Sequence, residues 1–467
     1  MRPDVAKCAT TGWGINLARL LLSLCDPFLE PSTNRWQNIN VVSVFFPDVC
    51  CSSATGCHLR TPASLQAYVV DPERASIDLT EDTKLGSSLE EARDLGRGLL
   101  REREQSEGAA SPKSGYHFVC ECFFLAGKAL HLGVKAALEE MRNIQRSLSF
   151  QMGDLEEAKA LMEQAPPGSP ERMRLELQYK RLKAHQDQMQ GLVLTYQAML
   201  ADDRLMAQAV SYFRLAAFWV MRLARQGEAS LPEEPPAAFR ILPEFMVEDL
   251  CEVVSWVGRT VPHILEGSKM EELVVFLTTL IGATSYVRNS WLRSQMAEVL
   301  HIWLPDNFIE SGWRRARSAP QVASRLSTLY EHSEAVVSQL VPSLIRLYCD
   351  IESSGRHSQF YDKFNTRYQL GEILEYLWGI PRHREVLKAL AAREVSGLYL
   401  SFCNFMVNDC IHLLDGAVTR LPEIRELEQE MEDQAAFAKL PQQERQEKTS
   451  RLMEAVKWVI FARDPFR

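Results

Sequence analysis

The chain has 467 residues, 46% hydrophobic and 24% charged, with a formal net charge of −9 at pH 7. That length supports two or three ordinary domains or one extended helical array with a continuous core, and the balanced composition excludes wholesale disorder and a membrane channel. The acidic balance, with a sequence pI near 5.7, excludes a protein built mainly to grip phosphate backbones, so protein partners are expected and nucleic acid is not.

The first element read from the sequence is a helix over residues 13–30, with Leu17, Leu20, Leu21 and Leu24 as its apolar face and Pro27 and Pro31 closing it. No small-residue cleavage site follows Leu20–Leu24, so no export signal is read. From about Ser52 to Gly115 the chain is rich in Ser, Gly, Pro and charge and reads as surface loops or a flexible insertion, with Arg101–Gly115 as its linker. Strand signals are confined to Val41–Phe46 and Ala67–Val70.

Helical patterning resumes at Phe118 and persists almost to the end. The apolar stretches Phe118–Val134 and Tyr212–Met221 are interrupted by Glu121, Lys128 and Arg214, and neither reaches the roughly 20 residues that span a bilayer, so both read as buried core helices without membrane insertion. Val134, Leu138, Met141, Ile144 and Leu148 recur at helical steps. Pro166–Pro167–Gly168 then ends that helix, with Ser169 as the next N-cap and Pro170 at the first helical position. In the second helix, Leu175, Tyr179, Leu182, Met189, Val193, Tyr196 and Leu200 form a near-heptad stripe, broken at Gln186, that suits antiparallel packing on the first.

A second linker falls at Gly227–Pro236. Beyond it, apolar faces on Met246–Val257, Met270–Leu280 and Leu292–Trp303 are cut by breakers at Pro262, Gly267, Gly282, Pro305, Pro320, Gly355, Gly379 and Pro381. Helices of this length satisfy their apolar faces only by stacking on their neighbours, at the spacing of armadillo and HEAT arrays. The expected fold is therefore all-α, an elongated armadillo/HEAT-like α-solenoid carrying a long antiparallel helical hairpin.

Little in the chain carries chemistry. Eleven cysteines at irregular spacings read as reduced thiols of the cytosol or nucleus. Cys50, Cys51, Cys57 and His58 could furnish part of a zinc shell, yet their spacing matches no known finger and no second half lies nearby, so loop or buried cysteines are the favoured reading. Cys120 and Cys122 read as core, and His131, His301 and His412, beside apolar runs, as satisfied core or rim histidines. There is no metalloprotease His pair, nucleophile elbow or Gly-rich phosphate loop. No catalytic residue, cofactor site or metal site is expected. Trp313–Arg317 is a basic aromatic patch read as a solvated turn, with nucleic acid or an acidic peptide as the alternative, and Glu423–Asp433 reads as the wet face of a helix. Asp362, Lys363 and Arg367 fit either a binding surface or a salt-bridge network between helices.

Several segments resemble, in order, the core of the ubiquitin chain-elongation factors, the U-box ubiquitin ligases that extend chains on already ubiquitinated substrates. They include Gly12–Trp13 with Asn16–Leu17 and Leu20–Phe28, Phe118–Phe124 with Ala129–Gly133, Pro243–Glu244 with Val247–Asp249, Leu265–Gly267, Tyr286–Val287 with Asn289, and Leu292–Arg293. Glu298–Leu300 with Trp303 and Pro305, Phe360–Tyr368, Met406–Asp415 and Leu440–Pro441 complete the series. The resemblance implies an armadillo-like core that holds ubiquitinated substrates and a ubiquitin-selective hexameric ATPase, while a C-terminal U-box recruits the charged ubiquitin-conjugating enzyme.

The family's U-box is not found after Leu452, and sequence upstream of the family core is short, so a fragment, truncated gene or short isoform is expected, inactive as a ligase alone. The expected organisation is residues 1–115 as the N-terminal core part with its insertion, 116–230 as the hairpin section, 237–452 as the armadillo-like array and 453–467 as a divergent tail. A monomer in cytoplasm and nucleus is expected. A generic helical-repeat adaptor without a ubiquitin role is the alternative.

Overall fold

The structure, a computed structural model, describes residues 11–29, 81–107, 118–226, 228, 230–266, 269–305, 326–351, 360–393, 397–432, 437 and 441–463. Among these the fold is all-α; the only β pairing is an isolated antiparallel bridge between Lys84 and Pro243. The strand signals at Val41–Phe46 and Ala67–Val70 lie outside the described residues.

The first helix, α1 (Thr11–Leu29), buries a face other than the leucine stripe. Gly14, Ile15, Ala18, Leu22, Cys25, Phe28 and Leu29 are buried, whereas Leu20 and Leu24 are exposed and Leu17 and Leu21 are partly buried. The cause is a close crossing: a Cβ on Gly133 would lie 2.4 Å from the Gly14 carbonyl carbon, so only small residues let the two backbones touch. Pro27 sits inside the helix rather than closing it. The linker expected at Arg101–Gly115 is helical up to Glu107, as part of α2 (Leu89–Glu107). The start of α2 is fixed by a reciprocal cap: the Ser88 amide donates to the Glu91 carboxylate at 3.0 Å and the Glu91 amide to the Ser88 hydroxyl at 3.3 Å.

A short helix, α3 (Phe118–Leu130), passes through a π-turn at His131–Lys135 into α4 (Ala136–Gln164), which pairs antiparallel with α5 (Pro170–Leu200). Ser169 caps α5, accepting from the Arg172 amide at 3.1 Å with Pro170 at the first turn, as the sequence indicates. At about 1.5 Å per residue these helices make an arm roughly 45 Å long. The predicted stripe from Leu175 to Leu200 faces α4, with Gln186 partly buried in the same row. The core deepens at α6 (Asp203–Arg225), where Phe123, Phe124, Tyr212 and Trp219 meet mostly edge to face and the Tyr212 hydroxyl donates to the Phe123 carbonyl at 3.0 Å.

Most of the remaining helices pack chiefly on helices two or three places away in chain order. They are α7 (Ala237–Arg240), α8 (Phe245–Thr260), α9 (His263–Glu266), α10 (Glu271–Gly282), α11 (Ser290–Ile302), α12 (Leu329–His332), α13 (Glu334–Asp350), α14 (Phe360–Gly379), α15 (Pro381–Arg393), α16 (Leu398–Glu432) and α17 (Gln442–Arg463). Helix α11 packs on α8 and α14, α13 on α10, α15 and α16, and α16 on α17, so one apolar cluster runs from Ile15 to Phe402. Burial that passes from each small group of helices to the next along the chain is the packing order of a helical solenoid. Helix α17 crosses residue 452 without a break and buries Ala455 and Trp458; a Cβ on Gly416 would lie 2.0 Å from the Trp458 ring.

Candidate functional site

Where the arm leaves the stacked helices, the base of α4 and α5 faces α8 and α11 across a cleft of about 770 Å³. Apolar Leu138, Met141 and Leu194 form the arm side, and Trp256 stands on the opposite wall. Two ion pairs line it. Arg142 donates to Glu252 at 2.5 Å from arm to array, and Arg259 pairs with Glu298 between α8 and α11. These charges offset each other, leaving a half-apolar trough with hydrogen-bonding edges, which is the composition of a protein-docking surface. Cys251 lies at the floor, where burial first and the carboxylates Glu298, Glu252 and Glu248 next push its thiol well above the ordinary range. It stays neutral and is a poor nucleophile.

The sequence-identified histidines are structural. His131 Nδ1 lies 3.0 Å from each carboxylate oxygen of the buried Asp249, and His301 Nε2 lies 2.5 Å from Glu372. Burial pushes the Asp249 carboxyl up to about 6, against the lowering effect of the His131 hydrogen bond. His412 is exposed and stacks on Phe364, ring centroids 5.9 Å apart. Of the trio Asp362, Lys363 and Arg367, the structure resolves Arg367 in favour of the network: it is buried, donates to both oxygens of Asp409 and to the Tyr348 carbonyl, and lies over the Tyr348 ring. Lys363 sits 5.3 Å from the Phe364 centroid, and the Asp362 side chain is outside the described part.

The acidic run on α16 is more than a wet face, since Glu423 pairs with Arg451 at 2.7 Å and Glu430 with Lys448 at 2.8 Å on α17. Cys120 and Cys122 are buried, with thiols pushed up mainly by desolvation. Cys50, Cys51, Cys57, His58 and the Trp313–Arg317 patch lie outside the described residues. Among the described residues no group of three or more His, Cys, Asp or Glu could hold a metal ion, and no helix is long and apolar enough to cross a membrane.

Sequence reasoning missed the acidic partners Asp249 and Glu372 and the cleft pairs Arg142–Glu252 and Arg259–Glu298. The one signal available for the first was the carboxylate pair Glu248–Asp249 between apolar Phe245–Val247 and Leu250, where the buried member requires a partner. The cleft residues come from four separate helices, so no local pattern joins them.

Residues 1–459 match the family described as ubiquitin elongating factor core. The probable ubiquitin conjugation factor E4 of Arabidopsis thaliana is 33% identical over 460 residues, covering 96% of this chain and 41% of the relative. The ubiquitin conjugation factor E4 of Schizosaccharomyces pombe is 26% identical over 431 residues, covering 90% and 37%. The E4 ubiquitin-protein ligase UFD2 of Saccharomyces cerevisiae is 22% identical over 466 residues, covering 93% and 43%. The chain spans about two fifths of the length of these relatives.

Proposed function

The chain belongs to the ubiquitin elongating factor core family, and from that membership we propose that it serves as the scaffold of ubiquitin chain elongation, holding ubiquitinated substrates and partner proteins along its stacked helices. The observation that carries the reading is the family match over residues 1–459, which overlies the continuous apolar core and the cleft at the arm base. In this reading a ubiquitin-selective hexameric ATPase is one partner, delivered substrate is another, and the charged conjugating enzyme is recruited by a U-box outside the described helices. Residues 1–115, 116–230 and 237–452 act as successive sections of the scaffold, and the protein works as one copy in cytoplasm and nucleus.

The role proposed is a non-covalent one, as family membership suggests. A covalent ubiquitin thioester needs an accessible thiolate, and burial holds Cys25, Cys120 and Cys251 as neutral thiols unsuited to that step, which leaves the exposed Cys410 as the accessible thiol among the described residues. Transfer by a scaffold instead gains its rate from proximity and orientation of the thioester and the attacking lysine.

Two assays with the 467-residue chain test this. Immobilised chain should retain polyubiquitinated substrate and a ubiquitin-selective ATPase, and loss of retention would remove the scaffold role. With a panel of conjugating enzymes, the chain alone should give no chain extension, and robust chain formation would overturn the non-catalytic reading.

A further inference from the structure

Three arginines are buried among the described residues, and two of them hold a carboxylate: Arg293 donates to Asp350 at 2.7 Å, and Arg367 to Asp409 at 2.7 and 2.6 Å. Arg214 on α6 is the exception. It is 5% exposed, its Nε has no hydrogen-bond partner, and it forms no ion pair among the described residues. A cation kept out of water without a counter-charge is costly, so the position calls for an anion supplied from outside the chain.

The rest of that edge of α6 carries the same charge. The helix buries most of its surface and shows water one edge, along which Arg204, Ser211, Phe218, Arg222 and Arg225 follow one another, with Arg214 between Ser211 and Phe218. At about 100° per residue the four arginines fall within an arc of roughly 80°. None of them pairs with a carboxylate among the described residues, and Arg225 Nε is buried without a partner as well. Asp203, where the edge begins, is taken by His263 at 3.1 Å. The Arg222 guanidinium lies 5.6 Å from the centroid of the half-buried Phe218 ring. Burial first, and the like charge of Arg222 next, lower the pKa of Arg225. A helix C-terminus favours cations in its last turn, which accounts for Arg222 and Arg225 alone; Arg214 lies mid-helix and gains nothing from it.

We propose that this edge of α6 binds an extended acidic peptide segment of a partner protein, its carboxylates pairing with Arg214, Arg222 and Arg225. Guanidinium groups meet carboxylates through two parallel hydrogen bonds, which is why arginine clusters read acidic motifs. The spacing fits. Arg214 and Arg225 are about 16 Å apart along the helix axis at 1.5 Å per residue, and an extended strand rising about 3.3 Å per residue covers that span in roughly five residues. Acidic side chains at alternate positions of such a strand point to one side and meet successive arginines. A nucleic acid fits less well. A long polyphosphate meets the repulsion of a chain with net charge −9, whereas a short segment feels chiefly the charges within about 10 Å of it. Phe218, half-buried beside Arg222, offers no open ring face for bases to stack on. The cleft at the arm base takes no lining residue from Asp203–Arg225, so loss of peptide binding and loss of substrate retention are separable results.

Fluorescence anisotropy with the full chain and a dye-labelled peptide of about ten residues, alternating glutamate and serine, tests the proposal. Saturable binding is expected, weakened by salt and absent for the matching glutamine and serine peptide. Arg222→Glu changes an exposed position and should weaken binding at least about tenfold, and Arg222→Glu with Arg225→Glu should abolish it. Arg214→Met should weaken binding as much while holding or raising the melting temperature, because it removes a buried charge that has no partner. A lower melting temperature with unchanged binding would make Arg214 a packing residue and overturn its role. Should that variant fail to fold, Arg222→Glu and Arg204→Glu read the same equilibrium. The proposal is overturned if the glutamate peptide does not bind, or if binding survives the charge reversals. Tighter binding of an oligothymidylate, or of phosphatidylserine vesicles, would also overturn it, since the edge would then serve a different class of ligand.

Discussion

Arg367 on α14 donates from one nitrogen to both carboxylate oxygens of Asp409 on α16, at 2.7 and 2.6 Å, while its other terminal nitrogen holds the Tyr348 carbonyl of α13 at 3.1 Å. One buried guanidinium thus ties three helices, and Tyr348 closes the network by donating to Asp409 at 2.8 Å. Removing one partner strands the other charge in a dry site, so Arg367→Ala should cost about 3–5 kcal/mol. The pair Arg367→Met with Asp409→Leu removes both charges and should cost far less. Urea unfolding of the singles and the double reads the difference; equal losses would mean that the pair contributes through packing alone.

Gly14 and Gly133 set the crossing of α1 over the π-turn. Gly133→Ala places a methyl 2.4 Å from the backbone of Gly14, an atom that cannot swing aside, so α1 must lift or the turn must shift. Overpacking of this kind costs about 1–3 kcal/mol. Hydrogen exchange should show α1 losing protection ahead of the arm, and unchanged protection in α1 would place the slack in the π-turn.

The same crossing explains what the sequence concealed. The leucine row of α1 was legible as apolar, but the buried face is chosen by the small residues Gly14 and Ala18 that allow close approach, and hydrophobicity alone ranks Leu20 above both. Helix α2 carried its own start signal, Ser88 followed three residues later by Glu91, which the surrounding charge and glycine outweighed in a composition-based reading. The arm was legible to the residue because Ser169, Pro170 and the α5 stripe are local patterns. The cleft was not, since Arg142 and Glu252 are 110 positions apart and meet only once the array is stacked.

Asp249 gives the fold a pH dependence of predictable sign. Burial raises its folded-state value from 3.8 to about 6, with His131 and Lys135 acting in the opposite direction. As pH falls, the folded chain takes up this proton before the unfolded chain does. The added stability is therefore complete below about pH 4 and is lost as pH rises through about 6, amounting to about 3 kcal/mol. Asp249→Asn cannot titrate, so its melting temperature should change less than the parent's across that window. Parallel profiles would show that the pair with His131 keeps the carboxylate ionised throughout.

Docking of α17 rests on Trp458, which lies so close to Gly416 that no side chain fits between them and receives the Arg420 guanidinium 4.1 Å from its ring centroid. Gly416→Ala would drive a methyl into the ring and should release α17, seen as lost hydrogen-exchange protection over 442–463 with the α8–α11 region unchanged. Retained protection would mean that the Glu423–Arg451 and Glu430–Lys448 pairs hold the helix without the indole.

The cleft at the arm base makes the last prediction, because its two walls contribute differently. Leu194 is 63% exposed, so Leu194→Asp changes the docking surface while leaving the core intact, and a surface change of this kind shifts stability by no more than about 0.5 kcal/mol. Trp256 is partly buried, and Trp256→Ala removes the largest apolar wall of the trough. If partner proteins seat here, both substitutions should weaken retention of polyubiquitinated substrate or of the ATPase at least about tenfold, as truncating an anchor residue in an interface does. Leu194→Asp would do so with an unchanged melting temperature. Retention that survives both would move the docking surface off the cleft and onto another face of the stacked helices.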